Sequence, residues 1–217
     1  MDIVKLKNIQ EKLVQRVIRE GRPYIEYIGG VDLAFSGDRR FAFVTIVVIK
    51  FPDLEVVEVV KEKDNVKFPY IPGFLAFREL PPILKALRRV RTKIDLMMVD
   101  GHGIAHPRRL GIASHLGVVK NIPTIGVAKS ILVGKFETPD DRKGSYSYIY
   151  DRDEIIGVVL RTKKGTKPIF LSIGHMISLD YAIEITLKCV KGYRIPEPTR
   201  LAHIEVENMR RGQNALW

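Results

Sequence analysis

The sequence predicts a single α/β domain, a mixed β-sheet with helices on its faces, spanning residues 1–217. Three observations predict it. Residues 24–61 hold three consecutive strand patterns joined by short turns, and connections that short force an antiparallel meander. From residue 77 onward, helix and strand patterns alternate, which is the mark of a sheet flanked by helices. No internal repeat, low-complexity tract or linker divides the chain, and 46% hydrophobic with 28% charged residues suits a packed core.

The elements follow in order. Leu6, Ile9, Leu13 and Val17 recur at helical spacing over residues 3–20, and Gly21 stops the pattern. Strands are expected at 24–35, 41–50 and 54–61, with turns at "SGDRR" and "FPD". The stretch "VKFPYIPGFLAFREL" sets Pro69 and Pro72 around an aromatic and cannot be a central strand. It leads into a helix near 77–91, where Pro81 and Pro82 suit the first turn. A strand at 94–99, a helix at 109–119 and a strand in "PTIGVAKS" come next. Further strands are expected at 146–150, 155–161 and 168–173, then a helix at 178–191 with Ser178 as its N-cap.

Composition narrows the class. Lys and Arg number 36 against 25 Asp and Glu, a net charge of +11, which points to a polyanionic partner, most often nucleic acid. Five Asn and three Gln beside abundant Lys, Glu and Arg resemble chains from hot environments, where part of a basic excess only keeps the protein soluble. The one cysteine, Cys189, excludes an intramolecular disulfide and a cysteine zinc cluster and reads as a small core residue. No apolar run approaches the ~18 residues of a membrane span. The N-terminal "MDIVKLKNIQEKLVQRVIREG" lacks the compact apolar block and cleavage site of a signal peptide. A cytoplasmic protein, most simply a monomer, is expected.

Three carboxylates carry the chemistry. Asp32 interrupts an apolar strand in "GGVDLAF", Glu79 lies near a helix start in "FRELPP", and Asp100 ends a strand in "MMVDGHG". An acid within an apolar strand is costly to bury unless it is paired or bound to a cation. Two such acids on strands that can be neighbours point to a shared cation; alternatively, each is satisfied by nearby backbone amides. Carboxylates without a cysteine cluster match Mg²⁺, with Mn²⁺ as a substitute, completed by phosphate and water. With the basic surface, this suggests metal-assisted phosphodiester hydrolysis. Lys129, at the end of the "PTIGVAKS" strand, would reach the same edge if that strand runs parallel to its neighbour; otherwise it is an ordinary surface lysine. Tyr70, held between Pro69 and Pro72, is either a stiff exposed aromatic able to wedge into a base stack or a core tyrosine under a loop.

Spacing does not choose among the five histidines. His102 and His106 flank the loop after Asp100, and His115 lies in a helical pattern as a structural residue. His175 sits between a strand and a helix, where an anion can be met. His203, in "PEPTRLAHIEVE", gains no role from composition.

The segments "GGVDLAF", "FPYIPGFLAFRE", "VDGHGIAHPRRLGIASHLGV", "PTIGVAKS", "SIGHMISLDYA" and "PEPTRLAH" resemble, in order, those of the endonuclease V family of deoxyinosine-directed repair nucleases. The resemblance implies an RNase H-like fold and Mg²⁺ held by Asp32 and Asp100, with Glu79 completing the acidic cluster directly or through water. It implies that Lys129 stabilises the phosphate and that His203 orients or activates water. Tyr70 would be the wedge, with Pro72 and Gly73 of the same motif, and Gly101, Gly103 and His106 of "DGHGIAH", approaching the flipped base. His106, Arg108 and Arg109 would face the nucleic-acid backbone. Gly174 and His175 would also contact substrate, although the family's Ser-Pro-Gly-His reads Ser172-Ile173-Gly174-His175 here. The implied reaction is hydrolysis of the second phosphodiester 3′ to deoxyinosine, leaving 3′-hydroxyl and 5′-phosphate ends. Inosine in single-stranded RNA is the alternative substrate, and a non-catalytic nucleic-acid-binding module is the alternative class.

Overall fold

The computed structural model describes residues 2–214. Its first helix, α1 (Ile3–Val14), is capped by the Asp2 carboxylate, which accepts from the amides of Val4 and Lys5. It ends well before the expected residue 20. Beyond it the Ile18 amide donates to His175 Nδ1 at 3.1 Å and the Ile18 carbonyl accepts from Met176, so strand pairing partners draw the backbone out of the helix. Leu6, Ile9 and Leu13 are only half-buried, and the one buried side chain of α1 is Gln10.

β1 (Tyr27–Phe35), β2 (Phe41–Lys50) and β3 (Glu55–Asn65) form the expected meander, β3 running four residues past its predicted end because Phe41 and Ala42 still pair with Asn65 and Asp64. α2 (Leu75–Leu87) begins earlier than predicted, so Pro81 and Pro82 lie in its middle. Each proline withholds an amide, leaving the Phe77 and Arg78 carbonyls without their i+4 donors. The apolar face of Leu80, Ile83 and Ala86 keeps the helix on the sheet regardless.

β4 (Leu96–Asp100), α3 (Ile112–Lys120) and β5 (Thr124–Ala128) follow. β4 pairs in parallel with β1 and with β5, so three neighbouring strands end at the same edge. The alternation then stops. β6 (Tyr146–Asp151), β7 (Glu154–Leu160) and β8 (Ile169–His175) make a second antiparallel meander, and β8 joins β5 antiparallel. The sheet order is β3-β2-β1-β4-β5-β8-β7-β6.

α4 (Leu179–Lys188) starts at Ser178 as predicted, although the Ser178 hydroxyl makes no capping bond. α5 (Glu197–Asn214) has no counterpart among the predicted elements. α2 and α3 pack on one face against Val31, Ile46, Met97 and Val99. α4 and α5 share the other face with Ile28, Ile49, Met98 and Leu171, where Cys189 is fully buried. Burial pushes its thiol up to about 12, which makes it the inert core residue expected. No helix among the described residues is long and apolar enough to cross a membrane.

Candidate active site

The site forms where β1, β4 and β5 come to one edge. Asp32 lies across from Thr45 on β2, one residue beyond the last β1–β4 pair, Val31 with Val99. Asp100 follows Val99 directly, so the parallel register alone sets the two carboxylates side by side. β5 is parallel to β4, the condition under which Lys129 reaches this edge, and Lys129 Nζ lies 2.5 Å from Asp100 Oδ2.

α5 delivers the fourth group. Its first turn presses so closely on β1 that a Cβ at Gly30 would lie 2.0 Å from the Pro198 carbonyl oxygen. Only glycine permits that approach. It sets His203 over the strand, with Nδ1 2.6 Å from Asp32 Oδ2, while Asp32 Oδ1 accepts from the Leu33 amide at 2.8 Å. A ring nitrogen of His203 and one oxygen each of Asp32 and Asp100 lie within 4.8 Å of one another, a set that could hold a metal ion.

The electrostatics agree with a cation there. Burial and the charge of Asp100 raise the Asp32 carboxyl above its ordinary value, against the lowering pull of His203. Glu79 stands outside the 4.8 Å group, yet burial and the charges of Asp32 and Asp100 push it up to about 7. Three acids crowd an edge with too little positive charge among them, and hard oxygen donors of this kind suit a divalent cation.

Beside the acids opens a cavity of about 460 Å³, whose walls include Tyr70, Gly73, Glu79, Asp100, His102 and His106. Tyr70 is 61% exposed at its mouth, so it is not a core tyrosine. Burial lowers His106 to about 4, with Arg108 as the next cause, and burial also lowers His102. Near neutral pH the His106 ring is uncharged, which fits an uncharged heterocycle better than a phosphate. A larger open groove of about 810 Å³ between Val57–Lys61 and Arg89–Thr92 holds none of these residues.

The other expected substrate contacts lie away from this edge or have their polar groups already engaged. Gly174 and His175 end β8, which runs antiparallel to β5, so His175 pairs with Thr124 and both lie at the edge opposite Lys129. His175 is buried with Nδ1 committed to Ile18. Gly103 has its amide bonded to Ser172 Oγ at 2.8 Å, and Gly101 donates to Val127, so neither amide is free for a base. Arg109 is spent on Asp151 and Glu154, and Arg108 on Gln10 and Gly73, so neither faces outward to a backbone. His115 is a core residue, edge-on to Phe77 with ring centroids 5.3 Å apart. The residue that chain-order reasoning could not place was His203, and the signals were Gly30, which only close approach explains, and the prolines opening α5.

The comparisons with known proteins can be set against this geometry. Residues 7–204 match the family model described as Endonuclease V. The endonuclease V of Nostoc sp. is 53% identical over 196 residues, covering 89% of each chain. The crystal structure of the Bacillus subtilis endonuclease V superposes with a TM-score of 0.95 at 34% identity, covering 100% of this chain and 96% of that one. The Ciona intestinalis endonuclease V, solved in complex with a 24mer DNA containing an inosine followed by a ribo-adenosine, gives a TM-score of 0.85 at 31% identity over 97% of this chain and 98% of that one. Sequence and fold both match over most of the length: this chain belongs to the endonuclease V family of nucleases.

Proposed function

We propose that this protein is a DNA repair endonuclease that recognises deoxyinosine and hydrolyses the second phosphodiester 3′ to it, working as one domain and a monomer. The carrying observation is the juxtaposition of an acidic edge with a base-sized cavity walled in part by the uncharged His106, in a family one of whose members was solved on inosine-containing DNA. Asp32 and Asp100 would hold Mg²⁺, or Mn²⁺ in its place, with Glu79 completing the acidic cluster directly or through water. When bound, the cation supplies polarisation of the phosphate and a more acidic attacking water.

The chain's own residues do the rest. Asp32 accepts from His203, which fixes the ring's orientation and leaves its other nitrogen to hold a proton or a water at the phosphate. Lys129 faces Asp100 and can turn its ammonium toward the developing charge on the phosphate oxygens. Tyr70, stiffened by Pro69 and Pro72, fills the gap left in the stack when the base leaves it. His106 and the "PGF" turn wall the cavity that takes the base. Hypoxanthine lacks the exocyclic amino group of guanine, so a close wall there excludes guanine by clash.

A second reading has its own observation. The DNA bound to the Ciona intestinalis relative carries a ribonucleotide after the inosine, which favours tolerance of ribose at that position here as well. The test is cleavage of end-labelled duplexes carrying inosine followed by deoxy- or ribo-adenosine, and of inosine-containing RNA, with Mg²⁺ or EDTA. Metal-dependent nicking one nucleotide beyond inosine supports the proposal. Equal cutting of inosine-free duplex, or cutting in EDTA, would reject it.

A further inference from the structure

α1 presents an oddity: its apolar residues are half-exposed, while its single buried side chain is an amide. Gln10 is 1% exposed and lines the cavity beside the acids. A buried amide is costly unless its polar atoms are engaged, and these are. Nε2 donates to the Gly73 carbonyl at 3.2 Å, and Oε1 accepts from Arg108 Nε at 2.5 Å. Arg108 also donates to the same Gly73 carbonyl, and its guanidinium lies 4.5 Å from the centroid of the Phe74 ring. Three separate segments meet here: the amphipathic helix, the turn that follows Tyr70, and the loop that follows Asp100.

We infer that Gln10 is a positioning residue for lesion discrimination. It closes a brace through Arg108 and Gly73 that fixes the turn carrying Tyr70 against the wall of the base cavity. Gly73 has φ +78°, and its carbonyl accepts from both donors. Without the amide, the carbonyl and Arg108 Nε lose a partner in a buried place, and the turn gains freedom where the wedge must be rigid. Gln10 touches neither the acids nor Lys129 nor His203 by any hydrogen bond among the described residues, so it acts on recognition and not on bond breaking.

This inference rests on the proposed function, and its test separates the two. Affinity for inosine-containing over undamaged duplex is measured for wild type and Gln10→Leu, with catalysis held off by Ca²⁺. A 2-aminopurine beside the inosine reports unstacking by fluorescence. The leucine variant should lose about tenfold of the preference and most of the fluorescence rise. Its single-turnover cleavage rate at saturating protein should stay within about twofold of wild type. A merely structural role would lower Tm and leave the preference and the fluorescence alone, and that outcome overturns the inference. If Gln10→Leu does not fold, Gln10→Glu carries the test, because it keeps the acceptor for Arg108 and loses the donor to Gly73. Lost preference with an intact cleavage rate supports the brace, and unchanged preference overturns it. Wild-type protein with no preference for inosine would overturn the proposed function, and the brace as a discrimination device with it.

Discussion

At the scale of single residues, the site is a charge imbalance held in place by neighbours. Asp32 and Asp100 sit side by side because two parallel strands end together, and either one replaced by Asn should cut nicking by about a hundredfold or more, as loss of a metal donor does. Binding of inosine-containing duplex in Ca²⁺ should survive both changes; a gel-shift titration beside a nicking assay checks this. Glu79 gives a pH signature. Its carboxyl is raised from 4.5 to about 7, so it is largely protonated in the metal-free protein below neutrality. The stability tied to that proton is full below 4.5 and is lost as pH rises through about 7. Loading Mg²⁺ or Mn²⁺ at neutral pH should therefore release protons, and apparent metal affinity should rise between roughly pH 5 and 8. Calorimetry in buffers of different ionisation enthalpy checks this, and Glu79→Gln should diminish the release near neutral pH. These acids were legible in the sequence because a carboxylate inside an apolar strand is conspicuous. His203 was legible only through the resemblance of "PEPTRLAH", because composition gives it no role and its partner comes from the packing of another element.

At the scale of elements, the register of a strand decides more than its boundaries. Period and turn length do not set the parallel direction of β4 and β5, but the meander and the alternation of helix and strand that makes a mixed sheet were readable from them. The place where alternation gives way to a second meander was less so, since β6, β7 and β8 have the same local pattern whichever strand they join. That pairing reverses β8 against β5 and carries Gly174 and His175 to the end of the sheet away from Lys129, a placement no motif position reveals. α5 was missed for a different reason: its charged surface, with Glu197–Arg200 and Glu207–Arg210 pairs, dilutes the apolar stripe of Ala202 and Val206. Its seat predicts an outcome. Gly30→Ala would set a Cβ against the Pro198 carbonyl, at a cost of about 1–3 kcal/mol of overpacking. Tm should fall, and nicking should fall further than Tm explains, because His203 moves away from Asp32. A thermal melt and a nicking assay at a temperature well below Tm check the two effects separately.

At the scale of the whole molecule, charge and ion pairing divide the labour. The net charge of +11 should make binding to undamaged duplex fall steeply between about 50 and 200 mM salt. The single-turnover nicking rate at saturating protein should change little over that range, since the chemistry sits in a fixed local arrangement. Filter binding and rapid-quench measurements across the series would reveal a shared slope if this division is wrong. Many other charges are tied up in networks between distant segments: Glu62 with Lys85 and Arg89, and Arg109 with Asp151 and Glu154. Such networks gain value as temperature rises, in keeping with the Lys- and Glu-rich, Asn-poor composition.

The seat of α5 also bears on when the molecule becomes dangerous. A cell that makes a nuclease exposes its own genome to every half-finished copy. Here the strand bearing Asp32 is synthesised early, and its imidazole partner leaves the ribosome only after residue 203. A stalled or prematurely terminated chain that ends before residue 203 would thus carry the acids without the imidazole that Asp32 holds.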